Sequence, residues 1–132
     1  MTGMKIGTML QIARSGDVRA RLTAVRDGQA AVRMAAVGAG LRTGILDLLQ
    51  LSPESTAALA ERGGWSDDSL VEALLLVLAE LGLVRESQGR WTLTRRGRAV
   101  LEDDVVRATY EGFSDYHVGL YQEIEQQLTG GP

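Results

Sequence analysis

The chain has 132 residues, 45% of them hydrophobic and 23% charged, with a formal net charge of −3; this balance suits one folded domain and argues against disorder. It has no Cys and a single His, His117, which excludes disulfides, thiolate catalysis and multi-cysteine or multi-histidine metal sites and fits a cytoplasmic setting. The longest apolar run, Ala73 to Ala79, is seven residues, far below the ~20 a membrane span needs, and the first residues lack the apolar stretch of a signal peptide.

Aromatics are only 5%, while Ala and Leu dominate, so helices packed on helices are expected. The first eleven residues show no clean period and read as an arm. From Asp17, a capping residue, Val18, Leu22 and Val25 fall at i, i+4, i+7 of a helix. A second helical stretch, Gln29 to Val37, continues through Gly38-Ala39-Gly40 to Leu41. Its two close glycines either weaken the helix or let another helix approach closely. Gly44 precedes a short apolar helix, Ile45 to Leu49. Ser52 or Ser55 then caps a helix over Thr56–Arg62, with Pro53 and Glu54 suited to its first turn.

Ser66 is expected to cap a helix running to about Leu81 and closed by Gly82. That helix is apolar almost all round and is predicted to be the central core helix. Glu72, Leu76 and Glu80 form its one semi-polar stripe, which places Leu76 at the surface and hints at an interface. Leu83–Glu86 and Arg90–Leu93 read as strands of a hairpin around Ser87-Gln88-Gly89. Thr94 caps a short helix through Val100 and Leu101, and a last helix runs from about Asp104 to Leu128. Three helices followed by a two-stranded hairpin is the order of a winged-helix domain. The expected fold is therefore mainly α and winged-helix-like, with a small β-hairpin and long N- and C-terminal helices.

Charge is segregated along the chain. Met1–Arg33 and Arg85–Arg98 each carry net +4, whereas Glu102–Leu128 carries net −6. In a DNA-binding winged helix the helix before the hairpin enters the major groove with basic and amide side chains. Here that helix carries Asp67, Asp68, Glu72 and Glu80 and no Lys or Arg. This is repulsive to a phosphate backbone. The arginines Arg90, Arg95, Arg96 and Arg98 could reach phosphate, but a solvated face paired with acids is the simpler reading.

The stretch Ala39-Gly40-Leu41-Arg42-Thr43-Gly44-Ile45-Leu46-Asp47-Leu48-Leu49 resembles the "A-x-x-x-G-I/L-x-D-x-L" opening of the N-terminal dimerisation domain of S-adenosylmethionine-dependent O-methyltransferases. Ser55–Ala60 is similar to that family's "T-x-x-E-L-A" helix. Leu74–Val84 and Gly89–Arg98 resemble its "L-x-x-L-x-x-x-G-L" and "G-x-[YW]-x-L-T-x-x-G" patterns. The resemblance covers about residues 29 to 132. It implies a homodimer, with Val18, Leu22, Val25 and Leu76 as interface candidates. It also implies a small-molecule acceptor, aromatic or polyketide-like, whose pocket is walled by aromatics of the last helix: Phe113, Tyr116, His117 and Tyr121.

Phe113, His117 and Tyr121 are spaced i, i+4, i+8, with Tyr110, Leu120, Ile124 and Leu128 near the same face; packing on this domain or on a partner subunit is the competing account of that stripe. His117 is expected to be packed or superficial and not a catalyst, since no oriented acceptor or partner group can be placed beside it.

In the resembling enzymes a Rossmann-like domain with a glycine-rich cofactor loop follows this domain. No buried strand precedes a glycine cluster here, and Leu128-Thr129-Gly130-Gly131-Pro132 resembles the linker toward the catalytic domain. The expected organisation is an arm and dimerisation helix (1–28), a winged-helix core (29–101), and a C-terminal helix and linker (102–132). No catalytic, cofactor-binding or metal-binding residue is expected in this chain, and S-adenosylmethionine is implied only for the full-length enzyme. The alternatives are a winged-helix transcriptional regulator binding DNA and a stand-alone protein-interaction module.

Overall fold

The structure is a computed structural model that describes residues 16–130; the N-terminal arm and Gly131-Pro132, the end of the expected linker, lie outside the described residues. Two units are distinguished, 1–32 and 33–132. The described part of the first unit is helical, and all its residues from 16 to 32 are exposed. Helix α1 spans Val18–Arg42. Asp17 caps it, accepting from the Ala20 N–H at 3.1 Å. The two helical stretches read from the sequence are thus one helix, and Gly28, Gly38 and Gly40 all lie within it.

The second unit holds the core. Helices α2 (Ile45–Leu51), α3 (Thr56–Gly63) and α4 (Asp68–Glu80) precede strands β1 (Val84–Ser87) and β2 (Arg90–Leu93), followed by α5 (Arg95–Glu102). The chain then continues as α6 (Asp104–Gly112), a π-helical turn (Phe113–His117) and α7 (Val118–Leu128). This is the mainly α fold with a small antiparallel hairpin that the sequence led one to expect. The single long C-terminal helix is replaced by two α segments around a π turn.

The local signals mostly act where they stand. Ser55 caps α3, accepting from the Ala58 N–H; Pro53 and Glu54 therefore precede the helix instead of forming its first turn. Asp67, not Ser66, caps α4, accepting from the amides of Ser69 and Leu70. Gly82 (φ 82°) ends α4 in a Schellman arrangement, with Leu83 N–H donating to Leu78 O and Gly82 N–H to Ala79 O, both at 2.9 Å. Thr94 caps α5 by accepting from Gly97 N–H, and donates its own hydroxyl to Gly82 O at 2.6 Å. One side chain thereby fixes a helix start to the end of α4.

β1 and β2 pair with Val84 opposite Leu93 and Ser87 opposite Arg90. The turn is two residues, Gln88 and Gly89, both with positive φ, so it is tighter than the three-residue turn expected. Trp91 joins this hairpin to the helices. Its backbone exchanges two hydrogen bonds with Glu54, and its indole N–H donates to Thr56 Oγ1 at 3.0 Å. The buried core gathers Ile45, Leu46 and Leu49 of α2, Leu59 of α3, Val71, Leu75 and Leu78 of α4, Trp91 and Leu93 of β2, and Val100 and Leu101 of α5. Helix α4 is central but not enveloped: Leu70, Leu76 and Val77 are exposed. Among the described residues no polar or charged side chain is buried.

Candidate functional site

The C-terminal segment is held to the core by two arginines. Arg107 of α6 makes a paired contact with Asp47 of α2, at 3.0 and 3.3 Å, and bonds Glu111 one turn along its own helix at 3.1 Å. These bonds, first to Asp47 and then to Glu111, raise the guanidinium's affinity for its proton. Arg42, the last residue of α1, donates from Nη1 to both Ser114 Oγ and Asp115 Oδ1, each at 2.8 Å. Ser114 Oγ in turn donates to Tyr110 O at 2.7 Å. Gly38 makes this approach possible, because a Cβ there would lie 2.6 Å from Ser114 Oγ.

Above these anchors lies an exposed aromatic surface. The Phe113 and His117 rings are 4.7 Å apart and tilted by 30°. Tyr116 meets His117 edge-on at 5.3 Å, a favoured aromatic geometry. Phe113, Tyr116 and Tyr121 are 48%, 66% and 68% exposed, so they do not pack on the core. His117 is likewise exposed. Phe113, Tyr116 and His117 form one ring cluster, whereas Tyr121 makes no ring contact among the described residues. The π turn lies between Phe113 and His117, while His117 and Tyr121 are separated by ordinary α-helix. Leu120, Ile124 and Leu128 of α7 are also exposed, while Tyr110 is half-buried against the core.

The interface candidates Val18, Leu22 and Val25 lie on α1 and are exposed, with Leu22 and Val25 more than half so. Leu76 of α4 is exposed as well. A feature missed by sequence reasoning is an open, largely apolar groove of about 370 Å³ beside Trp65, lined also by Thr43, Ile45, Leu70 and Leu74. The exposed Leu70 was hidden in a helix apolar almost all round, where period gives no face. The Arg107–Glu111 spacing was visible as an i, i+4 pair; its reach to Asp47, 60 residues away, carried no local signal.

The arginines Arg85, Arg90, Arg95, Arg96 and Arg98 are exposed and make no salt bridge among the described residues, so the expected pairing with acids is not seen. Among the described residues no cluster of His, Asp and Glu could hold a metal ion, and no single helix is long and apolar enough to cross a membrane. Nor do these residues fit S-adenosylmethionine: the strands form only an antiparallel hairpin, and the glycines of positive φ stand at helix ends and in its turn.

No model of a protein family matches the chain, and no curated protein matches it by sequence. Solved structures do match. The fold is similar to a segment of S-adenosylmethionine-dependent methyltransferases, over 76–90% of this chain. CalO1, a methyltransferase in calicheamicin biosynthesis, in its SAH-bound form, is 31% identical with a TM-score of 0.59, covering 76% of this chain and 31% of CalO1. The mitomycin 7-O-methyltransferase MmcR matches at a TM-score of 0.69 and 20% identity, over 90% of this chain and 35% of MmcR. RosA of Streptomyces davawensis, an N,N-8-amino-8-demethyl-D-riboflavin dimethyltransferase, matches at 0.65 and 23%, over 89% and 36%. The chain thus spans about one third of the length of the methyltransferases it matches.

Proposed function

We propose that this chain is the winged-helix-like dimerisation and acceptor-lid domain of a small-molecule O-methyltransferase that uses S-adenosylmethionine. The observation that carries this reading is the match to CalO1, at 31% identity over 76% of the chain but only 31% of CalO1. Cofactor binding and methyl transfer then belong to the remainder of the enzyme, and the setting is cytoplasmic. The exposed Phe113, Tyr116, His117 and Tyr121 suit contact with a planar aromatic or polyketide-like acceptor, since stacked rings favour flat π-systems. The exposed Val18, Leu22, Val25 and Leu76 suit a subunit interface, because such positions on helices are ordinarily covered.

Sedimentation of the chain is expected to give a species of twice 14.2 kDa. A single 14.2 kDa species at high micromolar concentration would remove the dimerisation role. Methyl transfer to an aromatic hydroxyl is expected once the downstream region is supplied, and its failure would remove the enzyme reading. A second reading, DNA binding, is favoured only by the unpaired arginines of the hairpin and α5. The acids of α4 oppose it, and no salt-dependent shift of duplex DNA is expected.

A further inference from the structure

The π turn at Phe113–His117 is an irregularity that the fold must hold in place. It is closed by an i→i−5 bond from Val118 N–H to Phe113 O. A π turn accommodates about one residue more than an α turn, so it rotates everything downstream by about 100° against a continuous helix. Such turns have poorer geometry than α-helix and persist where the surroundings favour them.

The surroundings here are specific. Arg42 Nη1 reaches Ser114 Oγ and Asp115 Oδ1, both at 2.8 Å, two consecutive residues within the five of the turn. The bond to Asp115 is charge-assisted. Gly38, buried one turn before Arg42, is the residue against which Ser114 sits, and a Cβ there would also lie 2.9 Å from Arg42 Nη1. Ser114 Oγ also bonds the Tyr110 carbonyl, a contact that bends helices. These groups therefore converge on the π turn, while the neighbouring α6 and α7 follow ordinary α spacing.

We propose that Arg42 is the positioning residue of the C-terminal segment: its bonds to Ser114 and Asp115, in the space left by Gly38, hold the π turn and thereby set the direction in which α7 presents Tyr121 and its apolar neighbours. Loss of the latch lets the turn relax toward α-helix and turns that face by about 100°. The inference concerns the register of the segment and stands apart from what the face contacts.

The test uses the full 132-residue chain, whose lack of cysteine makes spin labelling unambiguous. Label pairs are placed by Glu61→Cys with Gln126→Cys, and separately by Glu61→Cys with Glu125→Cys, all exposed positions. A rotation of about 100° moves a surface side chain by up to about 8 Å, so at least one pair distance is expected to shift by several Å in Arg42→Ala. Arg42→Lys, which keeps one charged donor, is expected to restore most of the original distance. Asp115→Asn is expected to shift the distances in the same direction by less, and it serves as the second variant should Arg42→Ala fold poorly. Unchanged distances for both pairs in folded Arg42→Ala or Asp115→Asn would overturn the proposal, as would a shift that Arg42→Lys reproduces in full.

Discussion

Gly97 shows how one atom decides the sign of a substitution. It lies in the first turn of α5, where Ala would ordinarily gain about 1 kcal/mol over Gly. A Cβ at this position, however, would overlap the backbone carbonyl oxygen of Leu83, and a backbone atom cannot swing aside. Gly97→Ala is therefore expected to lower the unfolding free energy by about 1–3 kcal/mol, read from the urea midpoint. Gly119→Ala, in α7 with open space around it, is expected to show no loss. Glu54 illustrates a second residue-scale effect. Hydrogen bonds from Ser52 and then Arg62 hold its carboxyl below the ordinary glutamate range. Asp67 is lowered in the same way, by the Ser69 hydroxyl and then the α4 amide of Leu70. A depressed folded-state pKa contributes stability that is complete above the ordinary carboxylate range and lost as pH falls through the folded value. The urea midpoint is thus expected to drop as pH falls below about 5, through and beneath the ordinary carboxylate range. Glu54→Gln is expected to lower the plateau and flatten part of that slope.

At the scale of elements, the hairpin is tied to the helices through its second strand and strained at its tip. Trp91 holds that strand through Glu54 and Thr56, while Gln88 adopts φ 52° in a two-residue turn of the type I′ pattern. Gln tolerates that region less well than Asn or Gly. Gln88→Asn is expected to raise stability by up to about 1 kcal/mol without changing the register, measurable as a higher thermal midpoint. The elements were largely legible in the sequence because their signals are local: Asp17, Ser55 and Thr94 cap, Gly82 terminates, and Arg90–Leu93 alternates. Where two capping residues stood side by side, at Ser66 and Asp67, composition could not choose between them. The π turn was illegible for a different reason. Phe113 to His117 reads as plain helix, and the Arg42 contact that accompanies the turn comes from 72 residues away. The aromatics of the candidate site were legible as a stripe, but their grouping rests on ring geometry that spacing does not give, and Tyr116 joined the cluster while Tyr121 did not.

For the whole molecule, the apolar residues left outside the core are what a test of the proposed dimer acts on. Leu22 and Val25 are 55% and 58% exposed on a long helix, and Leu76 is 55% exposed on another. If these cover one another across a subunit boundary, Leu22→Asp with Val25→Asp is expected to convert the dimer to a monomer. The far-UV spectrum of the core should remain, because neither side chain is buried in the chain itself. An unchanged sedimentation coefficient for the double variant would place the interface elsewhere. The segregation of charge has no such structural signature: the five arginines from Arg85 to Arg98 stand unpaired among the described residues, and they contribute more to solubility than to cohesion.

The two indoles of the chain have a practical corollary. Trp91 is 2% exposed and bonded to Thr56 within the core, whereas Trp65 is half-buried on the wall of an open groove. They therefore emit from different surroundings. With Trp65→Phe, the remaining indole fluorescence follows the core alone; with both indoles retained, a red-side change at constant core signal reports a change at the groove wall. The chain carries its own pair of optical gauges, one in the core and one on the groove wall.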